Sequence, residues 1–577
     1  MYESENSPLR NSLIWIGLVL LALVWFGTLN YRHLIPSDEG RYAEIAREML
    51  VSGDWLTPRY NDYKYFEKPP LQMWATALAF KLFGLGEWQA RLWSGLTSFL
   101  TILFTGLTAG ALFGKRAGWL SAVILAASPI WILSGHFNSL DMGIAATMSF
   151  ALFSMLVAQN APHHSISEAF WMCLCWVFMG LAVLSKGLIG LVLPGLVLIV
   201  YSFTAWDWKI WTRLHLVKGI VCFLAVTAPW FILVSLKNPE FPHFFFIHEH
   251  FERFTTDEHR RTAPWHFFFP LLIVGFLPWL FQLPKSFVNA LQDRNQTQIN
   301  FKPQWLCLVW AIVIFAFFSF SKSKLPGYLV PIFPALAILA GISLNQSLFK
   351  DTQNSGFFVK ASSNNLGWQI QLIFLFVLFC CGFLAISKVA STGEVYEAEL
   401  YLAYSEWVRA ALCIVTSGTL LAWLVRKHKH LSVSLFAFSF IGMTLVAGIG
   451  HDVVGRLLSG VDLANKARPL VQADTNFYSV KILEHTIPFY LQKPAVMVEF
   501  MDELQFGIEQ EPDKWIPSVD QFIERWNSDS EKHPLAVMSH TTFAELKARD
   551  LPMEVVAEDP LRIIIKKPDI SSIETSK

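Results

Sequence analysis

The chain has 577 residues, 54% of them hydrophobic and 16% charged, with a formal net charge of zero. That balance gives no reason to expect nucleic-acid binding. Repeated apolar runs long enough to cross a bilayer make it a polytopic helical membrane protein rather than a soluble enzyme. The 23 Trp and 49 Phe exceed what a soluble enzyme usually carries, and Trp suits interfacial belts.

Residues 1–10 are polar, and the apolar stretch 12–31 is too long for a signal-peptide core and lacks a small-residue cleavage site, so it reads as a retained first span. Next comes an island of charge, Ser37-Asp38-Glu39-Gly40-Arg41-Tyr42-Ala43-Glu44-Ile45. A Ser or Asp ahead of Tyr42, Ile45, Ala46, Met49 and Leu50 predicts a capped amphipathic helix at a membrane surface. Asp38 and Glu39 would sit at its N-terminus, where the helix dipole favours carboxylates. Asp38 reads either as an ordinary cap or as part of a reaction centre, and Asp141 carries the same two readings. A second island follows at Tyr65-Phe66-Glu67-Lys68-Pro69-Pro70, and Pro70 to Leu85 predicts an interfacial or re-entrant helix.

Hydropathy places about thirteen spans of roughly 20 residues. They begin near Ser12, Trp88, Ala117, Met142, Ala169, Leu188, Leu216, Phe267, Trp305, Gly327, Trp368, Trp407 and Leu431. Basic residues cluster at 115–116, 209–218, 285–302 and 426–429 and alternate with sparse loops, which predicts a cytoplasmic N-terminus and an outer C-terminus. The loop carrying Asp38 then lies outside, although it holds Arg41, Arg47, Arg59, Lys64 and Lys68. Asp141, Lys186, Lys322, Lys324 and the 237–265 loop with His248, Glu249, His250, Glu252 and Arg253 fall on the same side. Charges near a bilayer are costly and tend to be functional, so their collection on one side predicts an outward-facing polar cavity. The seven cysteines all lie in apolar runs without metal-site spacing and read as packing residues.

From His451 onward strongly apolar helices stop. Strand patterns at 477–482, 494–500, 535–538 and 561–565, with helical patterns at 519–526 and 541–549, predict a small soluble α/β domain, either structural or an acceptor-side accessory. The organisation expected is therefore a membrane domain over 1–450, with outer-face segments 32–87 and 237–266, followed by an α/β domain over 451–577.

Arg41, Lys68, Lys186, Arg253, Lys322 and Lys324 suit anion binding, either as a cradle for a lipid-linked phosphate or as contacts to phospholipid headgroups. Asp38, Glu39, Glu67 and Asp141 could supply a general base or metal ligand, and His248 with Glu67 could hold a divalent ion such as zinc or magnesium. No Walker loop, Gly-x-Ser-x-Gly or His-Glu-x-x-His pattern is present in the sequence.

The run from Asp38 to Trp55, followed by Tyr65-Phe66-Glu67-Lys68-Pro69, resembles the first outer loop of GT-C membrane glycosyltransferases of the protein-mannosyltransferase-like superfamily. It is most similar to the family that transfers aminoarabinose to lipid A. The resemblance continues at Leu140-Asp141, Ser185-Lys186-Gly187, Glu249 to Phe254, Arg261 to Trp265 and Lys322 to Tyr328. It implies a GT-C fold of about 13 helices. It also implies a polyprenyl (undecaprenyl) phosphate sugar donor and an envelope acceptor such as lipid A, in the bacterial inner membrane. Asp38 would be the catalytic carboxylate and Asp141 the second acidic residue. Lys68, Arg253 and Tyr328 would contact the donor phosphate, with Arg41 and Lys186 in the same cavity and Glu39, Lys322 and Lys324 beside it. Glu67 and His248 would match a metal position. Gly40 stands where that family usually has Thr, and Pro70-Leu71-Gln72 follows a broader bacterial pattern, which leaves the sugar and acceptor open. Other envelope or protein glycosyltransferases, and a lipid-linked sugar transporter, are the alternatives.

Overall fold

The computed structural model describes residues 8–252, 263–296, 301–349, 366–389 and 395–568. Among them nine helices are long and apolar enough to cross a membrane. Two further pairs are bent by 67° and 91° at short breaks, and two apolar helices, Ile16–Gly27 and Ile189–Ala205, are shorter. These occupy the thirteen segments read from hydropathy.

In chain order the part that builds the site comprises α1 (Pro8–Gly27), α2 (Asp38–Ser52), a two-stranded ribbon β1 (Arg59–Tyr60) and β2 (Tyr63–Lys64), α3 (Leu71–Phe83) and α4 (Glu87–Phe113). Then come α5 (Lys115–Ala126), α6 (Pro129–Gly135), α7 (Leu140–Asn160), α8 (Ile166–Lys186), α9 (Ile189–Ala205) and α10 (Leu216–Lys237). The break between α5 and α6 has a local cause: Ser128 precedes Pro129, which disfavours helical backbone there, and Ser128 is extended at φ −79° and ψ 118°. The chain thus turns before α7 and delivers Asp141 to that helix's first turn. α7 is apolar all round and almost wholly buried, and its small residues let α4 and α8 pack closely against it.

The C-terminal domain is a five-stranded sheet in the order β4 (Ala495–Val498), β3 (Phe477–Val480), β5 (Leu535–Met538), β7 (Ile563–Lys566), β6 (Glu554–Glu558). β3 pairs parallel with β4 and β5, whereas β7 pairs antiparallel with β5 and β6. The inner strands are buried on both faces, which explains their continuous apolar runs. β6 was not visible in the sequence because it is an edge strand with mostly exposed positions.

This domain is clamped onto the loops between α2 and α3. Arg59 donates to both carboxylate oxygens of Glu511 at 3.1 and 2.9 Å, Lys514 pairs with Asp62 at 2.8 Å, and Asn61 Oδ1 accepts the Ala495 amide at 3.0 Å. Tyr490 donates to Glu87 at 2.7 Å and accepts the Leu34 amide. The clamp corrects one expectation: α2 is not an amphipathic helix on a membrane surface. Eleven of its residues, Glu39 to Met49, are buried, because α2 packs on α3 from one side while the C-terminal domain covers its outer face. Gly40 is required at that contact, since a Cβ there would collide with the His485 carbonyl and the Thr486 methyl.

Candidate functional site

α2 begins at Asp38, and Ser37 at the cap position makes no side-chain capping bond. Asp141 likewise lies inside the first turn of α7, behind Ser139. Neither carboxylate is the cap residue of its helix, so the capping reading of both is set aside. Helical spacing puts Asp38, Arg41 and Tyr42 on one face of α2. The Arg41 guanidinium lies 4.0 Å from Asp38 and 2.6 Å from Glu503 of the C-terminal domain, and its Nε is buried without a hydrogen-bond partner. Burial alone would lower the Arg41 pKa, but Tyr65, Glu503, Tyr42 and Asp38 raise it well above its ordinary value. Burial, with neighbouring carboxylates, pushes the Tyr42 and Tyr65 phenols upward. These rings are therefore neutral hydroxyls beside a fixed cation.

That face opens on a cavity of about 1010 Å³. The cavity brings together Asp38, Arg41, Glu67, Lys68, Asp141, Lys186, Tyr328 and His248. Lys68 follows the ribbon and donates to Glu249 at 3.0 Å and to the Glu67 carbonyl at 2.8 Å. Lys186, the last residue of α8, pairs with Asp141 and stands 4.3 Å above the Tyr328 ring. Glu67 accepts from the Tyr65 hydroxyl at 3.4 Å.

Three expected site residues sit elsewhere. Glu39 is fully buried and turned away from the cavity, about 100° around the helix from Asp38. Arg32 reaches it at 2.5 Å and Arg91 at 2.7 Å, and the Asn138 amide donates to it at 3.1 Å. Burial would raise this carboxyl, yet the Arg32 and Arg91 guanidiniums hold it down at about 2. Glu39 is thus the anchor of α2, not a ligand to substrate. Lys322 is exposed, and Lys324 is buried with its ammonium on the Ser321 carbonyl. The chain runs extended through Leu325, so alternation turns Lys324 away as Leu325 enters the cavity. Arg253 lies outside the described residues.

Sequence reasoning did not single out Arg91, which enters the span α4 five positions from its start and could have been flagged as a costly intramembrane charge in need of a partner. It also missed Glu240, Asp502, Glu503, Phe506 and Glu509, all of which line the cavity. No local pattern marks the last four, because their meaning depends on where the C-terminal domain docks.

For a divalent ion the relevant observations are two. Glu67 and His248 share the cavity, and His248 Nδ1 is buried with no hydrogen-bond partner. No group of three or more ligand-type side chains occurs among the described residues. Glu67 and His248 thus offer two of the three protein ligands that a catalytic zinc site uses.

A second cavity of about 780 Å³ meets the first at Asp38, Asp141 and Leu325. It is lined mainly by apolar side chains, among them Ile35, Ile130, Leu133, Leu271, Val274 and Met443. A polar chamber and an apolar one thus share a wall that carries both candidate carboxylates.

Two family models match the chain: dolichyl-phosphate-mannose-protein mannosyltransferase over residues 13–245, and the aminoarabinose transferase C-terminal domain over residues 463–567. Among relatives, the undecaprenyl phosphate-alpha-4-amino-4-deoxy-L-arabinose arabinosyl transferase of Pseudomonas aeruginosa is 30% identical over 407 residues, 68% of this chain and 70% of that protein. A Pseudomonas fluorescens counterpart is 27% identical over 88% of both chains. Among solved structures, ArnT from Cupriavidus metallidurans bound to undecaprenyl phosphate superposes with a TM-score of 0.88 at 43% identity, covering 96% of this chain and 98% of that one. An Archaeoglobus fulgidus oligosaccharyltransferase at 12% identity and TM-score 0.51, covering 91% of this chain and 69% of that one, shows a likeness of fold alone.

Proposed function

The chain belongs to the undecaprenyl phosphate-aminoarabinose arabinosyl transferase family, and from that premise we propose that it moves 4-amino-4-deoxy-L-arabinose from undecaprenyl phosphate to lipid A. It is a multi-span membrane glycosyltransferase. The reaction is assigned to the periplasmic face of the bacterial inner membrane, with the N-terminus cytoplasmic and the C-terminal domain periplasmic. The observation that carries the reading is the convergence of Asp38, Lys68, Asp141, Lys186 and Tyr328 on one cavity beside an apolar chamber.

Breaking the sugar–phosphate bond leaves an undecaprenyl phosphate with an added negative charge. Lys68, with Arg253 and Tyr328, would stabilise it as it departs. The Lys68 ammonium is already held in place by Glu249 and the Glu67 carbonyl, so little reorganisation is needed. Attack from the opposite side inverts the anomeric carbon. When the acceptor is a lipid A phosphate the nucleophile is already ionised, and Asp38 then orients groups and stabilises positive charge on the sugar. With a hydroxyl acceptor Asp38 would instead act as general base. Asp141 shares this wall, neutralised by Lys186. A hydrocarbon chain in the apolar chamber would bring its headgroup to both carboxylates. Carboxylates of Glu240, Asp502, Glu503 and Glu509 around the polar chamber suit a sugar that carries an ammonium group.

A divalent ion, if bound, would be held by Glu67 and His248 and would add positive charge near the phosphate. The protein's own residues, Lys68 and Arg41, supply charge there independently.

The test is mass spectrometry of lipid A from membranes supplied with the lipid-linked sugar, comparing wild type with Asp38→Asn and Lys68→Ala at equal protein levels. Loss of the aminoarabinose adduct in both variants is expected. Unchanged transfer in both would sink the assignment, and an adduct found on protein rather than lipid A would redirect it to a protein acceptor.

A further inference from the structure

The C-terminal domain does more than cover the site. Its short helix Gln505–Gln510 lies against β2 so closely that a Cβ on Gly507 would come within 2.5 Å of the Lys64 carbonyl oxygen. This approach inserts Phe506 between two segments that carry cavity residues. On one side the Phe506 ring packs 5.8 Å from Phe66, which directly precedes Glu67 and Lys68. On the other it stacks on Phe244, centroid to centroid 3.9 Å at 27°. Phe244 in turn stacks on His248, one turn further along the π-helical segment His243–Glu252, at 5.2 Å and 14°. The same two segments are also joined by the Lys68–Glu249 ion pair at 3.0 Å.

We infer that Phe506 is a positioning residue for the transfer reaction: through Phe66 and the Phe506–Phe244–His248 stack, the C-terminal domain sets the spacing between Lys68 and the His248–Glu249 pair. Ring pairs in this geometry add attraction beyond their burial, and a lysine misplaced by about 1 Å holds a phosphate poorly. The ion pair alone does not fix that spacing, because a flexible lysine keeps its partner over a range of backbone positions. The rigid ring contacts do. The inference rests on the proposed function, since it concerns the site's grip on the donor phosphate.

The experiment is a double-mutant cycle on the full-length protein in detergent or nanodiscs, with undecaprenyl phosphate-aminoarabinose as varied substrate. Phe506→Ala and Phe244→Ala should each raise the donor KM about five-fold, the size expected for one aromatic contact. The double variant should be no worse than the weaker single. Phe506→Tyr, which keeps the ring, should restore the wild-type KM, whereas Phe506→Leu, which keeps most of the volume, should not. Glu511→Gln, which loosens the same domain at Arg59 without touching the stack, should lower the unfolding midpoint and leave the donor KM in place. Multiplicative losses in the double variant, or rescue by Leu as complete as by Tyr, would overturn the inference. So would a KM rise in Glu511→Gln that matches Phe506→Ala. Failure of the proposed function looks different, because Asp38→Asn would then retain transfer whatever the cycle shows. If Phe506→Ala does not accumulate, the Tyr and Leu pair decides the question.

Discussion

Arg41 of the membrane domain and Glu503 of the C-terminal domain meet at 2.6 Å in the wall of the polar cavity, so the site is completed by two domains far apart in sequence. Arg41 is almost wholly buried, whereas Glu503 keeps about a fifth of its exposure. Glu503→Ala would leave a buried guanidinium without this partner. The expected cost in stability is about 1–2 kcal/mol, below the fully buried case because solvent screens Glu503. Donor kcat/KM should fall about ten-fold as Arg41 swings from its place. Glu503→Asp should fall between the two. Steady-state kinetics beside a thermal unfolding series measures both effects, and wild-type kinetics in Glu503→Ala would remove Arg41–Glu503 from the site.

Glu39 shows why neighbouring carboxylates in one motif have different duties. It accepts from Arg32, Arg91 and the Asn138 and Ile35 amides and is fully buried, so Glu39→Gln leaves two buried cations short of their counter-charge. A loss of about 3–5 kcal/mol is expected. The pH dependence has a definite sign. The folded carboxyl is held at about 2, below its ordinary value, so its stabilisation is full above the mid-4s and is lost as pH falls toward 2. Unfolding midpoints measured from pH 6 to pH 3 should fall more steeply for wild type than for Glu39→Gln, while the variant starts lower.

Much of this was legible in the sequence. Apolar runs located the spans, charges collected on one side of them singled out Asp38, Lys68, Asp141 and Lys186, and the family resemblance supplied the roles expected of them; the fold brings all four to one cavity. What was not legible depended on packing between distant segments. Periodicity does not say which of Asp38 and Glu39 is consumed as an anchor; the buried Arg32 and Arg91 that reach Glu39 decide it. Alternation in an irregular turn was likewise hidden, so Lys322 and Lys324 looked equivalent to Tyr328. The chain segment around Phe506 has no catalytic signature at all. Its place in the cavity follows from the close approach of Gly507 to β2, a contact between segments far apart in the chain.

Gly40 offers a test of that docking. Its missing side chain faces backbone atoms of His485 and the Thr486 methyl, and a backbone carbonyl cannot rotate aside as a flexible side chain can. Gly40→Thr, the residue usual in the family, should therefore push the C-terminal domain away from α2 at a cost of about 1–3 kcal/mol. Faster proteolysis after residue 451 and reduced transfer are the expected readouts. Gly40→Ala should show the same effects in weaker form. Unaltered proteolysis in Gly40→Thr would mean that the 485–486 segment yields more easily than its backbone contact indicates.

The Asp141–Lys186 pair separates stability from chemistry most cleanly. Lys186 ends α8, faces Asp141 across the α7–α8 contact and stands over Tyr328. Lys186→Ala leaves an enclosed carboxylate unpaired, so both stability and transfer should fall, the latter about 100-fold or more. Replacing both partners with uncharged groups of similar shape, Asp141→Asn with Lys186→Met, removes that unpaired charge. The double variant should regain much of the lost unfolding midpoint, because uncharged replacements for a buried ion pair are often near neutral in stability. Its transfer should stay as low as in the worse single variant, since neither charge remains at the shared wall of the two chambers. Recovery of activity together with stability in the double variant would show that the pair only holds α7 to α8. Recovery of stability alone places the charges in the reaction.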